Sequence, residues 1–501
     1  MENIFCAIVS DLASRSISFL INKCSEKRHQ PAAEKRLQRL LLRARIIVEE
    51  ADERLITKHA MLQQLSILRK EMYRGYYTLD RFRRHGHEEG STKDHKVSDD
   101  SFAASSSFNP AKRIRFCRVS GQSSEEQLLL QVLGCLGVTI EDSRELVMLL
   151  SSCPRLCHQP YSMHLLLDIA LFNRQTEMEH IMSFLLKDDT PGAESPAVLP
   201  IVGPCKVGKS TLIEHACRHE RVRNRFRQIV SFSEDDLQDA SMVTLRDCGV
   251  IKHQNHETGG AERVLIVIEL TRDIDESAWS RLYSASKSFV ANGSKIIVAS
   301  RSDKIARFGS NQTLRVKYFT QEAYWYLFKV RTFGSVDAEE HPELASIAMD
   351  VAMELNGCFM SASVWTALMK ANFNAEFWSM ALSSIREYKH TNFLVYGVHR
   401  DYPWQATEPA YVRRVNKNPS EYLVISYEYQ TCSPARDAEV SELNMQEFLF
   451  GSVVRQGKKF KVVAWRSHLP PHYNYIFTCE VWSIQSSGHR AARKRSQKLC
   501  T

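Results

Sequence analysis

The sequence predicts an α/β domain with a mainly parallel sheet, preceded by an N-terminal helical bundle and followed by a helical region and a small β-rich C-terminal region. Three observations predict this order. Short apolar runs alternate with helical segments between residues 198 and 300, which is typical of a parallel sheet covered by helices. Before residue 84, apolar residues recur at steps of three and four, which indicates amphipathic helices. Beyond about residue 390, apolar and polar residues alternate, which indicates strands.

The composition is that of a globular protein. With 501 residues, 44% hydrophobic and 25% charged, the chain has material for about three domains. The net charge of +8 is mild for this length and does not indicate nucleic-acid binding without a concentrated patch. The 13 scattered cysteines indicate reduced thiols. No signal peptide or long apolar run is evident, so we expect a cytoplasmic protein that does not span a membrane.

Residues 1–84 are predicted to form a helical coiled-coil bundle. Ile4, Ile8 and Leu12 begin one amphipathic helix. Such apolar stripes are buried only against one another, which means a bundle. A purely structural bundle and a face for protein partners or self-association both fit this pattern. The stripes of the next two helices are Leu37, Leu40, Leu41, Ala44, Val48, Ala51 and Leu55, and then Leu62, Leu65, Leu68, Met72, Tyr76, Leu79 and Phe82.

The rest of the chain divides into segments that differ in composition and hydrophobic pattern. Residues 85–123 are polar and Ser-rich, which predicts a flexible linker. The pattern of residues 124–190 predicts a helical pre-domain segment. The α/β domain is placed at 191–315, a helical subdomain at 316–388 and a β-rich tail at 389–501. Within the tail, the basic stretch 489–498 is predicted to be a solvated end, with nuclear import as the alternative. The cluster CPRLCH at 153–158 lacks a fourth ligand for a metal, so a loop with buried cysteines is expected.

The stretch GPCKVGKST at 203–211 has the spacing of a phosphate-binding loop, or P-loop. Glycines let the backbone turn so that its N–H groups face phosphate oxygens, and the following helix adds its positive end. Lys209 would bridge the outer phosphates and Ser210 would bind Mg²⁺. The bland alternative is a glycine-rich turn without a ligand. The predicted nucleotide-binding residues here are Gly203, Pro204, Cys205, Lys206, Val207, Gly208, Lys209, Ser210 and Thr211.

A hydrolytic site of this class needs acids after a second buried strand. The candidate strand RVLIVIEL ends in Glu269 and Leu270. Glu269 is therefore the candidate metal-binding and catalytic acid, whereas Leu270 cannot activate water. Asp273 and Asp275 follow, and their pattern favours a capped, solvated turn. After the strand KIIVAS, Arg301 is placed to contact a terminal phosphate, with a surface charge as the alternative.

These motifs, GPCKVGKST, LIVIEL and GSKIIVASRS, resemble the phosphate loop, second-kinase motif and arginine sensor of the NB-ARC domain of plant NLR disease-resistance proteins. The segments RLQRLLLRARIIVEEADERLIT and MLQQLSILRKEMYRGYYTLDRF are similar to the N-terminal coiled-coil bundle of the same family. The resemblance covers roughly residues 1–390 and implies ADP or ATP with Mg²⁺ as ligands.

The resemblance also implies individual roles. It implies Lys209, Ser210 and Thr211 at the β-phosphate and metal, Arg301 as sensor, and Phe172 and Arg174, in LFNRQTEME, near the adenine. At the position of the family's Gly-Leu-Pro-Leu motif this sequence has Gly-Cys-Phe-Met, residues 357–360. Glu269-Leu270 stands where the family has two aspartates, and we find no Met-His-Asp triplet or leucine-rich repeat in the sequence.

We therefore expect an ADP/ATP-binding switch or accessory protein of plant defence, with weak or no hydrolysis and with partners, another NLR or a second copy, at the helical bundle. Two alternatives stay open at this point. One is an active ATPase that uses Glu269, and the other is an adaptor or decoy whose loop binds nothing. A small-molecule kinase is a more distant alternative, because no Arg-rich lid is recognisable.

Overall fold

A computed structural model provides the structure. It describes residues 32–52, 54, 56, 58–94, 121–154, 172–188, 196–233, 250–254, 263–270, 273–310, 312–397, 409–413, 421–431, 447, 449, 460–466 and 474–483. The chain divides into two compact units. We call Met1–Leu165 with Asp337–Ser346 the helical unit, and Leu166–Val336 with Ile347–Thr501 the sheet unit.

The helical unit contains α1 (Ala32–Asp52), α2 (His59–Asp94), α3 (Gly121–Asp142) and α4 (Arg144–Leu150). Helices α1, α2 and α3 contact one another, and α4 contacts all three. The predicted apolar stripes form the core, where Leu37, Leu41, Leu65 and Leu68 are at most 2% exposed. The amphipathic pattern of α1 and α2 thus correctly identified the buried faces of these helices.

Two boundaries differ from the sequence prediction. Helix α2 continues to Asp94, into the segment 85–123 that the sequence predicts to be a linker. Helices α3 and α4, predicted as part of a separate segment at 124–190, pack with α1 and α2 instead. The reason is that α3 carries its own buried stripe, with Leu129, Val132 and Leu136 all at 0% exposure. The predicted helix at Ile4, Ile8 and Leu12, the cluster at 155–158 and the basic end at 489–498 lie outside the described residues.

Ion pairs join the helices of this unit, and two of those between α1 and α2 are buried or partly buried. Arg69 of α2 pairs with Asp52 of α1, and burial raises the pKa of the Asp52 carboxyl. Arg83 of α2 donates to Glu34 of α1 over 2.7 Å and also pairs with Glu339, in the short 3-10 helix Ala338–Glu340. Removing one partner of such a pair leaves an uncompensated charge, so these contacts fix which helices pack together.

The sheet unit is built on six strands: β1 (Ala197–Val202), β2 (Gln228–Ser233), β3 (Val250–Gln254), β4 (Val264–Glu269), β5 (Lys295–Ser300) and β6 (Leu314–Arg315). Their order is β3-β2-β4-β5-β1-β6. All neighbouring strands are parallel except β2 and β3. Every residue of β1 and β5 is buried, as expected for strands covered on both faces. The predicted mainly parallel α/β sheet is confirmed.

Helices flank this sheet along the chain. They are α5 (Gln175–Leu186), α6 (Lys209–Arg218), α7 (Glu220–Arg225) and α8 (Glu276–Phe289), with a 3-10 helix at Asp303–Phe308. Alternate residues of the strands enter two separate apolar clusters, for example Leu265 and Val267 in one, and Ile266 and Ile268 in the other. The period of two along β4 therefore places apolar residues on both faces of the sheet.

The remaining elements are α9 (Gln321–Phe333), α10 (Pro342–Glu354), α11 (Phe359–Ala371), α12 (Ala375–Tyr396), β7 (Ala410–Arg413), β8 (Glu421–Thr431), β9 (Phe460–Arg466) and β10 (Asn474–Ser483). The last four strands form an antiparallel sheet of order β7-β8-β10-β9, which we call the C-terminal sheet. Its core includes Leu368 of α11 and Tyr388 of α12. The predicted small β-rich C-terminal region is confirmed. Among the described helices, none combines the length and apolarity needed to cross a membrane.

Candidate phosphate-binding site

The predicted loop connects the end of β1 to the start of α6. Strand β1 ends at Val202 and α6 begins at Lys209, so the loop lies at the carboxyl edge of the parallel sheet, where α/β domains bind their ligands. Neighbouring chain segments hold its first residues. The Gly203 N–H donates to the Ser300 carbonyl over 3.2 Å, and the Val316 N–H donates to the Val202 carbonyl over 2.8 Å.

Both glycines of the motif are required by the local geometry. A Cβ atom on Gly203 would lie 2.4 Å from the Val316 carbonyl oxygen, which no side chain can tolerate without a shift. Gly208 has a φ of 99°, in the region that favours glycine. Lys206 also has a positive φ, 58°, which is uncommon for a residue with a side chain. The loop backbone is therefore curved in the way that lets successive N–H groups converge on an anion.

Lys209 and Ser210 stand at the first turn of α6. Lys209 Nζ donates to the carbonyl oxygens of Gly203 (2.7 Å) and Pro204 (2.9 Å). Burial lowers the pKa of Lys209 to about 8. Ser210 Oγ donates to Glu269 Oε2 over 2.5 Å, so the hydroxyl at the helix start meets the acid at the end of β4. A hydroxyl and a carboxylate oxygen side by side are the hard oxygen ligands that suit Mg²⁺.

The segment after Glu269 holds no second acid at this place. Leu270 is 6% exposed within an apolar cluster, and its N–H donates to the Ala299 carbonyl over 2.8 Å. Asp275 caps α8 by accepting from the Ala278 N–H over 2.6 Å. Asp273 pairs with Lys304 over 2.5 Å. The capped, solvated turn predicted for these two aspartates is therefore what the structure shows.

The other predicted residues of the loop differ in their surroundings. Val207 is buried in the core of the sheet unit, whereas Pro204 is exposed and Ser210 and Thr211 are half-buried. Cys205 is a half-buried free thiol. Arg301 follows β5 and is exposed. Burial chiefly lowers the pKa values of Lys206 and Lys209, and the positive charge of Arg301 also lowers them.

Phe172 and Arg174 form a cluster with the segment after β6. Phe172 is 3% exposed and its ring meets Phe319 edge-on, with centroids 5.5 Å apart. Arg174 donates to the Lys317 carbonyl over 2.6 Å and to Glu177 over 2.7 Å, and its guanidinium lies 4.5 Å from the centroid of Phe319. These contacts give both residues a packing role, and their place beside an adenine stays a prediction.

Two residues at the loop were missed by sequence reasoning. The Tyr318 hydroxyl donates to the Cys205 carbonyl over 2.8 Å, and the ring of Tyr475 lies under the ammonium of Lys206. Both come from segments far along the chain, beyond the reach of any local motif. Gly357, in the stretch 357–360, has a φ of 84°, and a Cβ there would lie 2.8 Å from the Phe319 carbonyl oxygen. Glycine is required at position 357 because the chain makes a tight turn there against the segment that carries Tyr318.

Comparison with known proteins identifies this part of the chain. Residues 174–337 match the NB-ARC domain family, which is a P-loop nucleotide-binding domain. The match spans the loop, Glu269 and Arg301. The NB-ARC resemblance and the P-loop α/β fold predicted from the motifs are thereby confirmed.

Several curated plant proteins are similar over part of the chain. Disease resistance protein RGA2 of Solanum bulbocastanum is 22% identical over 207 residues, 38% of this chain and 21% of its own length. RGA1 of the same species is 23% identical over 214 residues, 40% of this chain and 22% of its own. At3g14460 of Arabidopsis thaliana is 23% identical over 236 residues, 44% of this chain and 16% of its own. All three are named as disease resistance proteins, the last two provisionally, and this chain spans about a fifth of their length.

Proposed function

We propose that this protein binds ADP or ATP through residues 203–211 and acts as a nucleotide-dependent switch or accessory component in plant defence, with weak or no hydrolysis. The observation that carries the proposal is the Ser210–Glu269 contact at the foot of a loop with the required glycines, within a matched NB-ARC domain. Similarity to proteins named for disease resistance supports the defence role. A switch of this kind needs two conformers that bind the two nucleotides with different affinities.

The loop residues have defined tasks in nucleotide binding. Loop N–H groups and the N-terminus of α6 face the phosphates. Lys209 exchanges its two carbonyl partners, Gly203 and Pro204, for phosphate oxygens. Ser210 and Glu269 would hold Mg²⁺, which would neutralise part of the phosphate charge. Arg301, which directly follows β5, would add positive charge for the terminal phosphate.

Slow turnover is expected from the same geometry. Hydrolysis requires a group that orients and polarises the attacking water. The residue after Glu269 is the buried Leu270, and Asp273 and Asp275 are engaged by Lys304 and by the start of α8. The site therefore has the parts for holding phosphates and lacks an acid, among its described neighbours, beside Glu269.

Nucleotide content after gentle purification tests the proposal. We expect the full chain to copurify with ADP or ATP, and Lys209→Ala to lose it, because Lys209 supplies the charge at the outer phosphates. Lys287→Ala removes an exposed lysine of α8 and should retain nucleotide as the wild type does. If the wild type copurifies with none and binds none at millimolar concentration, the proposal fails in favour of a nucleotide-independent adaptor or decoy.

An active ATPase is the second candidate, favoured by the position of Glu269 beside Ser210. In single-turnover experiments with ATP and Mg²⁺, this hypothesis predicts a measurable rate of ATP hydrolysis in the wild type, and Glu269→Gln should lower that rate at least tenfold. A wild-type rate no higher than that of Lys209→Ala would contradict it. Binding without hydrolysis would leave the switch proposal as the better account.

Protein partners are proposed to bind the helical unit. Its described surface exposes Ile67, Leu130, Val138, Met148 and Leu149, each at least 41% exposed, and exposed apolar side chains favour protein contacts. Light scattering of the full chain should show self-association that Leu130→Ser with Val138→Ser weakens. We place the protein in the cytoplasm, consistent with the six free cysteines of the described residues, and deletion of 489–498 from a fluorescent fusion tests nuclear import.

A further inference from the structure

The side chain of Lys206, in the middle of the loop, lies against an aromatic ring of the C-terminal sheet. Its Nζ is 3.8 Å from the ring centroid of Tyr475, a residue of β10. A cation over the face of an aromatic ring is attracted by the ring's quadrupole, more strongly where water is excluded. The C-terminal sheet thus contacts the phosphate-binding loop directly.

Tyr475 is itself fixed by its neighbours. Strand pairing places it opposite Trp465 of β9, and the two rings stack with centroids 5.5 Å apart and planes 27° apart. Both rings pack against Cys358 and Met360 at the start of α11. The ring beneath Lys206 is therefore part of a wall of packed side chains formed with Trp465, Cys358 and Met360.

This wall contacts the loop at two consecutive residues. Tyr318 belongs to the same cluster as Tyr475, and its hydroxyl donates to the carbonyl of Cys205 over 2.8 Å. Consecutive loop residues, Cys205 through its backbone and Lys206 through its side chain, are thus fixed by two tyrosines from outside the loop. Such contacts are what a loop of unusual backbone conformation needs in order to stay in place.

The conformation that these contacts hold is the one that binds anions. Lys206 has a φ of 58° and Gly208 a φ of 99°. A residue other than glycine in the left-handed region is unfavourable in conformational energy, and it keeps this conformation only where its surroundings fix it. Left-handed residues within such turns make successive N–H groups point into one concavity. The ring that anchors the Lys206 side chain therefore also supports the curvature of the loop.

Burial opposes the charge of Lys206 at this position, and the face of an aromatic ring favours it. Burial lowers the pKa of Lys206 to about 7, and the positive charge of Arg301 also lowers it. The face of Tyr475 adds a favourable partner for the cation. Of these groups, the ring is the one that the C-terminal sheet supplies.

We propose that Tyr475 is a positioning residue for the phosphate-binding loop, so that the C-terminal sheet forms part of the site for a nucleoside diphosphate. The inference rests on the proposed binding of ADP through residues 203–211. Tyr475 acts through Lys206 and the loop backbone and does not itself touch the phosphates. The C-terminal sheet, for which the sequence offers no role, would then determine how well the loop holds its ligand.

The affinity of the full chain for ADP with Mg²⁺, measured by calorimetry, tests this role. We expect Tyr475→Ala to raise Kd about tenfold, in line with a desolvated cation–aromatic contact, and Tyr475→Phe to stay within about twofold, because it keeps the ring face. Tyr411→Ala, in β7 of the same sheet, is the matched control and should leave Kd unchanged.

A second cycle separates positioning from general stability. Lys206→Gly removes the side chain and makes the left-handed conformation inexpensive. In that background Tyr475→Ala should change Kd less than about twofold, because coupled residues are not additive. An equal loss of affinity in both backgrounds, or an equal loss in Tyr411→Ala, would overturn the proposal.

A nucleotide-free measurement distinguishes this inference from the proposed function. The alkylation rate of the half-buried Cys205 thiol, followed by peptide mass spectrometry, should rise several-fold in Tyr475→Ala and stay constant in Tyr411→Ala. If the wild type binds no ADP but Cys205 is alkylated faster in Tyr475→Ala, the contact of the sheet with the loop is supported and the proposal of nucleotide binding is refuted. If ADP binds and neither Kd nor alkylation changes in Tyr475→Ala, the inference is wrong.

Discussion

Two segments at the carboxyl edge of the parallel sheet differ sharply in what they offer to a nucleotide. The loop after β1, residues 203–211, combines two required glycines with Lys209 and Ser210 at the start of a helix. The segment after β4 offers Glu269 and then enters the core at Leu270. One segment has groups suited to binding phosphate, and the other has a single acid where hydrolysis would use more.

In the proposed function, binding and turnover would depend on separate parts of this site. Phosphate binding would depend on backbone N–H groups, one lysine and one hydroxyl, all within nine consecutive residues. Turnover depends on side chains that a different strand must deliver to the same point. A chain can therefore keep the first and lose the second, and a sequence of this kind suits a protein that holds its nucleotide. The predictions below alter one segment at a time.

The largest effect is expected from restoring an acid after Glu269. Leu270→Asp places a carboxylate at a position 6% exposed among Ile268, Trp279 and Val298. We expect a loss of about 4 kcal/mol in the free energy of unfolding, because an unpaired charge is buried, and no gain in ATP hydrolysis. Urea unfolding and single-turnover assays measure the two outcomes.

Leu270→Ala is the control for lost packing alone. It should cost about 2–3 kcal/mol, the lower part of the range for such a truncation. If Leu270→Asp proved as stable as Leu270→Ala and hydrolysed ATP faster than wild type, position 270 would be accessible to the site. The contrast between the two segments would then be smaller than the structure indicates.

Local patterns predicted this site where its residues are adjacent in sequence. The spacing from Gly203 to Ser210 and the apolar strands on either side were enough to place the loop between β1 and α6. The Ser210–Glu269 contact can also be predicted from the sequence, because the carboxyl ends of parallel strands share one edge of the sheet. By contrast, Tyr318 and Tyr475 reach the loop through tertiary packing. No hydrophobic periodicity or motif spacing in the sequence indicates these contacts.

Boundaries in the helical unit show the same limit. The stripe of Leu37, Leu41 and Ala44 predicted which face of α1 is buried. It did not predict that α3 would supply part of the cover, because an amphipathic stripe shows that a partner exists without identifying it. Likewise, the polar composition after residue 84 suggested a linker, although α2 extends to Asp94. Continuation of an established helix adds one hydrogen bond per residue and needs no apolar stripe.

A smaller effect is expected from filling the space at the first glycine of the loop. Gly203→Ala sets a methyl group 2.4 Å from the Val316 carbonyl oxygen, and backbone must shift to admit it. We expect a loss of about 2 kcal/mol in the free energy of unfolding, as for other overpacked sites, together with weaker ADP binding. Denaturant unfolding and calorimetry check both.

Gly134→Ala is the matched control, because a Cβ at this helical glycine of α3 would meet nothing within 4 Å. It should leave ADP binding unchanged and raise stability by up to about 1 kcal/mol, the helix propensity difference between alanine and glycine. Should Gly203→Ala behave like Gly134→Ala, the close approach of the loop to Val316 would not be a requirement of the site.

The smallest expected effect, taken over a single pH unit, is the pH dependence that Lys206 gives to the loop. Burial lowers the pKa of Lys206 from 10.5 to about 7 in the folded protein, so between these values the unfolded chain carries a proton that the folded chain lacks. Stability should therefore rise with pH across this window, by at most about 1.4 kcal/mol per pH unit for one group. Bound phosphates favour the ammonium form, so ADP binding at pH 8 should take up a proton and weaken as the pH rises.

Unfolding midpoints at pH 6.5, 7.5 and 8.5 and calorimetry in buffers of different ionisation enthalpy measure the two effects. Lys206→Met keeps much of the packing against Tyr475 and removes the titrating group, so both dependences should shrink. They should not vanish, because burial also lowers the pKa of Lys209, to about 8, with the same sign. An unchanged pH profile in Lys206→Met would show that the ammonium over Tyr475 is not desolvated. The two lysines of the loop would then differ less in their desolvation than their contacts imply. Lys209 donates to backbone carbonyls, whereas Lys206 lies over an aromatic ring.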